Sequence, residues 1–223
     1  MTAPARRSPV ERSAVPPALV VITDRDAAAR AGRSVPQVVA AALDGGAPAI
    51  LLRDKDLPAA ARRSLGMELA SLTTDAGARL LVASDARLAR ELGADGVHLA
   101  AADPPCPAPV GLLGRSCHDH DEVVAARTEG AAYAFVSPVA ASGSKPGYGP
   151  VLGSDGVREL VDAAGELPLL ALGGVTPANA ARWREAGAYG LAVMGGVMEA
   201  IDPMAAVAAL LDAWAVDPDA PAS

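Results

Sequence analysis

Aromatic residues make up only 3% of this 223-residue sequence, and cysteine occurs just twice, as Cys106 and Cys117. So few aromatic rings leave little with which to stack nucleic-acid bases, and a formal charge of -7 opposes binding to a phosphate backbone. No nucleic-acid partner is therefore expected. Neither cysteine stands in a CxxC or Cys/His zinc spacing, and two cannot build a disulfide framework, so both read as inert thiols in a reducing, cytoplasmic compartment. No uninterrupted apolar run approaches the ~20 residues needed to cross a bilayer, which predicts no membrane partner. Residues 1–16 are rich in Arg, Pro, Ser and Ala without an apolar core segment, and read as a disordered tail, not a secretory signal. Residues 214–223, with Asp217-Pro218-Asp219-Ala220-Pro221, read as a loose C-terminal tail.

What is abundant is apolar: 51% hydrophobic against 20% charged residues, enough to bury one substantial core. Between the tails, over residues 17–213, short β-branched or Leu-rich runs alternate with longer Ala-rich segments of helical period. Eight runs qualify as strands: Leu19–Thr23, Ala49–Arg53, Leu80–Ser84, Gly96–Leu99, Leu112–Ser116, Tyr133–Ser137, Leu169–Leu172 and Gly190–Met194. Helix starts are signalled by Ser34 with Pro36, by Pro58, by Asp85, by Thr176-Pro177 and by Asp202-Pro203; Gly45-Gly46, Gly93, Gly130 and Gly187 mark helix ends. The pattern predicts an α/β chain folded as a single (β/α)₈ TIM barrel of parallel strands, with a doubly wound open sheet as the alternative.

In such a barrel the chemistry gathers at the strand C-termini, and unusual residues do cluster there. Arg53-Asp54-Lys55-Asp56 follows the second strand; alternation would turn Arg53 and Lys55 to the same side, though a solvated charged loop reads equally from this segment alone. Asp85 ends the third strand as a metal ligand or a plain helix cap, and Asp103 follows the fourth as a metal ligand or a turn residue. Two carboxylates from adjacent strand ends are enough to share a Mg²⁺ that also clamps phosphate oxygens. A long Gly/Ser/Pro stretch with one lysine, Ser137 to Pro150, reads as an active-site flap or a plain loop. Gly173-Gly174 and Gly195-Gly196 end the last two strands, where backbone N–H groups commonly hold phosphate in this architecture. His118 and His120 read as the start of an acid-capped helix, and His98, inside a strand, as a hydrogen-bonded structural histidine.

The ordered series Val21-Ile22-Thr23-Asp24, Leu52-Arg53-Asp54-Lys55, Asp85, Gly96-Val97-His98-Leu99, Asp103, Gly114-Arg115-Ser116-Cys117-His118, Ser142-Gly143-Ser144-Lys145, Ala171-Leu172-Gly173-Gly174-Val175 and Ala192-Val193-Met194 resembles the thiamine phosphate synthase superfamily, including its thiazole tautomerase branch. The resemblance implies a Mg²⁺-dependent transferase that joins an aminopyrimidine diphosphate to a thiazole phosphate and releases pyrophosphate. It implies Asp85 and Asp103 as Mg²⁺ ligands, and Arg53, Lys55 and Lys145 with Ser116 around the diphosphate. Ser142 and Ser144 would belong to the flap, and Gly173, Gly174, Met194 and Gly195 to the thiazole phosphate site. Partners would be small phosphorylated substrates, with a homo-oligomer left open. Three positions depart from the family pattern: Leu51 stands where a glutamine is usual, Ser84 where an asparagine is, and Gly195 where a serine is. The tautomerase branch uses a histidine just after the sixth strand, where this chain has Pro138, as synthases do. A catalytically silent phosphate-binding barrel is the third reading, motivated by the three departures.

Overall fold

A computed structural model describes residues 15–106, 108, 110–141 and 150–215. Eight strands close into a barrel in sequence order, every neighbouring pair parallel and β8 returning to β1. They are β1 Leu19–Ile22, β2 Ala49–Leu52, β3 Arg79–Ala83, β4 Gly96–Leu99, β5 Leu112–Cys117, β6 Tyr133–Val136, β7 Leu169–Leu172 and β8 Gly190–Val193. All eight expected strands are present, with boundaries shifted by at most one residue, and closure rules out the open sheet. Among the described residues the helices are α1 Arg25–Arg30, α2 Val35–Asp44, α3 Ala59–Asp75, α4 Ala86–Leu92, α5 His120–Glu129, α6 Gly153–Ala164, α7 Ala180–Glu185, α8 Gly195–Met198 and α9 Pro203–Ala215, with a 3₁₀ turn, Pro177–Asn179, before α7. Among the described residues no helix is long and apolar enough to cross a membrane.

Local chemistry sets the helix ends. Ser34 and Gln37 form a reciprocal capping box at α2, while Asp24, Asp85 and Asp119 each accept a backbone N–H at the start of α1, α4 and α5. Gly93 and Gly130 close α4 and α5 at φ +62° and +81°, a conformation that favours glycine.

Alternation along the strands divides the core in two. Val20, Ile22, Ala49, Leu51, Leu81, Ala83, Leu112, Tyr133, Phe135, Leu170 and Ala192 form one buried cluster inside the barrel. Their strand neighbours, such as Val21, Ile50, Leu52, Val82, Val136 and Ala171, pack outward against the helices. The tail boundaries differ slightly from expectation. The Val15 and Pro16 carbonyls accept hydrogen bonds from Arg79 Nη1 (2.7 Å) and Tyr189 Oη (3.0 Å). At the other end α9 continues to Ala215, and half-buried Trp214 packs on the core while its carbonyl accepts from Arg184. Composition gives no sign of these tertiary contacts.

Candidate active site

At the end of β2 a buried carboxylate organises the charged loop. Asp54, only 3% exposed, accepts hydrogen bonds from Thr23 Oγ1 (2.5 Å) and the Arg25 N–H (2.9 Å), and Thr23 Oγ1 in turn accepts from the Arg53 N–H (2.9 Å). With Asp54 pinned beneath the loop, Arg53 and Lys55 both line the cavity at the barrel mouth, although the strand stops at Leu52. The common orientation expected from alternation is thus produced by the loop. Arg53 Nη1 lies 4.0 Å from Asp24 Oδ2 and Lys55 Nζ 4.0 Å from Asp103 Oδ2. Partial burial lowers the Lys55 pKa below the usual lysine value against the pull of Asp103.

The two candidate metal ligands flank Ser84. Asp85 follows it in the chain and caps α4 through Oδ1 on the Leu88 N–H (2.8 Å), with Oδ2 3.5 Å from Arg62 Nη1. Asp103 Oδ2 accepts from the Ser84 hydroxyl and from the Ala100 N–H (2.8 Å). Desolvation raises the Asp103 pKa, but Ser84, Ala100, Lys55 and Arg115 outweigh it, so the group is held below the ordinary aspartate value. Ser84 has φ +56°, a left-handed conformation that asparagine tolerates better than serine.

Two buried arginines, neither singled out from the sequence as a structural tie, brace these positions. Arg62 Nη2 donates to the Ala83 carbonyl (2.6 Å) at the end of β3. Arg115 Nη1 donates to the Ala100 (2.9 Å) and Asp103 (2.7 Å) carbonyls, while its Nε and Nη2 bind Glu129 Oε2. Among the described residues no three His, Cys, Asp or Glu side chains group as a metal cage. Mg²⁺ bound together with phosphate oxygens and water takes only one or two protein carboxylates, so it does not require such a cage.

Inside the barrel His98, 4% exposed, lies between Tyr133 Oη (3.2 Å from Nδ1) and Ser116 Oγ (3.0 Å from Nε2), with the Phe135 ring stacked 4.1 Å away. The structural histidine expected at this position is therefore hydrogen-bonded at both nitrogens. Burial, then Lys55 and Arg115, push its pKa down to about 3. Between that value and the ordinary 6.5 the unfolded chain binds a proton the folded chain refuses, so stability is lost as pH falls through 6.5. We expect this one group to cost about 2–3 kcal/mol between pH 7 and about pH 4.5. Denaturant titrations should show it as a slope that flattens in His98→Gln; an unchanged slope would remove His98 as the cause.

His118 also faces the mouth, a position not foreseen from its helix-start motif. Its Nδ1 lies 2.8 Å from the Ser137 carbonyl, which can only accept, so Nδ1 carries the proton. His120 is exposed beside Asp121, and α5 begins there as expected, capped by Asp119. Cys117 is buried, with its thiol pushed up to about 12 mainly by desolvation, which fits an inert role.

A cavity of about 1110 Å³ opens at the strand C-termini, and neither Asp85 nor Asp103 is among its lining residues. Arg53, Lys55 and Ser116 stand among its lining residues, as do Gly173, Gly174, Met194, Gly195 and Gly196, with Ile22, Leu51, Phe135 and Leu172 supplying apolar wall. Asp85 instead lines an adjoining cavity of about 370 Å³, which shares Lys55. Ser142, Ser144 and Lys145 lie outside the described residues. Gly173 and Gly174 have φ +94° and +68°, and a Cβ on Gly174 would sit 2.5 Å from the Ala141 carbonyl oxygen. Gly174→Ala should therefore cost about 1–3 kcal/mol in thermal unfolding. Gly196→Ala, whose added carbon has its nearest neighbour 3.8 Å away, should cost under about 0.5 kcal/mol. Equal effects would contradict the close-approach argument.

Comparison with known proteins agrees with this geometry. The family model described as thiamine monophosphate synthase matches residues 19–197. A thiamine-phosphate synthase of Roseiflexus castenholzii is 43% identical over 198 residues, covering 86% of each chain. One from Methanoculleus marisnigri is 40% identical over 200 residues, covering 87% of this chain and 93% of the relative. The solved thiamine phosphate pyrophosphorylase of Pyrococcus furiosus superposes with a TM-score of 0.76 at 30% identity, over 87% of this chain and 94% of that one. With a family match running from β1 into α8, and relatives aligned over most of their own length, the chain belongs to the thiamine monophosphate synthase family.

Proposed function

We propose that this chain condenses an aminopyrimidine diphosphate with a thiazole phosphate to give thiamine phosphate and pyrophosphate. One observation supports the reading: Arg53, Lys55 and Ser116 line the same cavity as the Gly173-Gly174 and Gly195-Gly196 backbone, so that cations and glycine N–H groups could each take an anion. A substrate pair bearing a diphosphate and a monophosphate needs both. In the reaction the C–O bond at the pyrimidine methylene breaks, its electron pair leaving with the diphosphate. The thiazole nitrogen then supplies the pair for the new C–N bond.

The protein's work is mostly electrostatic. Arg53 and Lys55 lower the cost of charge gathering on the departing diphosphate, with Ser116 donating a hydrogen bond; Lys145, Ser142 and Ser144 join them by family resemblance. Asp85 and Asp103 would hold Mg²⁺, which when bound would neutralise part of the same charge. Ile22, Leu51, Phe135 and Leu172 keep water from a methylene carbon that becomes electron-poor as the leaving group departs. Leu51, replacing the family's glutamine, offers the pyrimidine packing and no hydrogen bond. Looser discrimination among pyrimidines follows from that exchange.

A tautomerase would need a base near neutral pH. His98, with its pKa near 3 and both nitrogens engaged, is poorly suited, and Pro138 follows β6. The expected compartment is the cytoplasm, where Cys106 and Cys117 stay reduced. The test supplies both phosphorylated precursors with Mg²⁺ and follows thiamine phosphate and pyrophosphate together. Equimolar formation of the two is expected. Substrate binding by calorimetry without turnover, under conditions where a homologous synthase works, would leave only the silent-barrel reading.

A further inference from the structure

We infer that His98 and Tyr133 are positioning residues that set the polarity of the Ser116 hydroxyl, so that its proton points out to the bound diphosphate. The inference rests on the proposed role of Ser116 as a diphosphate ligand. Strand register builds the arrangement: Gly114 on β5 is paired with His98 on β4 and with Tyr133 on β6. A Cβ at Gly114 would overlap the Tyr133 phenol and come within 2.5 Å of His98 Nδ1. The missing side chain is thus what lets the two rings meet across the middle strand.

Direction follows from counting donors. Tyr133 is fully buried, and among the described residues its hydroxyl has one hydrogen-bond partner, His98 Nδ1, at 3.2 Å. If Nδ1 carried the proton, the phenolic O–H would be left buried with no acceptor, the costlier arrangement. Tyr133 therefore donates to Nδ1. Burial raises the phenol pKa well above its ordinary value, so it keeps that proton, and the neutral imidazole must carry its own on Nε2. Nε2–H then donates to Ser116 Oγ at 3.0 Å and occupies one of its lone pairs. Ser116, half-buried on the cavity wall, keeps its own hydrogen for an anion. In the opposite tautomer Ser116 would donate inward and meet the diphosphate with lone pairs only.

The experiment combines imidazole nitrogen NMR with calorimetry of pyrophosphate binding in the presence of Mg²⁺. The expected spectrum has His98 protonated at Nε2 and bare at Nδ1. Tyr133→Phe, which keeps the ring volume, should weaken pyrophosphate binding about tenfold and lower kcat similarly, with KM for the thiazole phosphate unmoved. Ser116→Ala should weaken it at least as much, and the double variant no further. Protonation at Nδ1 overturns the inference. So does wild-type affinity in a folded Tyr133→Phe beside a weakened Ser116→Ala. If Ser116→Ala itself binds normally, Ser116 is no diphosphate ligand, and the assignment beneath the inference falls with it.

Discussion

Asp103→Asn is expected to lower kcat by about 10²–10³ while leaving the melting temperature almost unchanged. The side chain has two separable duties. As an acceptor it holds the Ala100 N–H and the Ser84 hydroxyl, and an asparagine carbonyl can take over the first while serine adapts as donor or acceptor. As an anion it stands 4.0 Å from Lys55 and beside the position proposed for Mg²⁺, and no amide replaces that charge. Steady-state kinetics across a Mg²⁺ titration, with thermal melts alongside, separate the duties. A Mg²⁺ requirement shifted to higher concentration at constant stability supports the metal role. A melting temperature that falls while the Mg²⁺ dependence stays put would leave Asp103 as a loop fastener only.

Arg115→Met should cost about 3–5 kcal/mol, the usual penalty for removing one partner of a buried ion pair. For a domain of this size that corresponds to a fall on the order of 10 °C. The guanidinium is 9% exposed and Glu129 17%, so the carboxylate left behind cannot recover full hydration. Two loop carbonyls, of Ala100 and Asp103, lose their donor as well. Restoring charge balance with Arg115→Met/Glu129→Leu should recover much of the stability, because an apolar pair avoids the stranded charge. It should not recover kcat, since the loop carrying Asp103 remains untied. Full recovery of both would show that Arg115 acts on the fold alone.

These arginines mark where reading the sequence stopped. Arg53, Lys55, Ser116 and the glycine pairs were legible because parallel βα units bring every strand C-terminus to one face, so position in the unit implies position at the mouth. Three helices, α1, α6 and α8, were not anticipated: α1 has only six residues and α8 four, and α6 carries Gly153 and Gly156 in its first turn, which weakens the helical signal. Arg62 and Arg115 look like ordinary surface charges on a helix and a strand. Their partners, Ala83 and Asp85 for one and Ala100, Asp103 and Glu129 for the other, lie up to 23 residues away along the chain.

Periodicity and breakers by themselves determined the eight strands and the strand ends at which polar residues gather, because these depend on local backbone preference and on side chains alternating along a strand. Only the closed barrel decided which side chains touch. Pairing Gly114 with both His98 and Tyr133, tucking Asp54 beneath its loop and seating Arg115 under Asp103 all depend on inter-strand register and on burial. Contacts of that kind are made between distant segments, and their energies come from desolvation that no residue experiences until the barrel has closed.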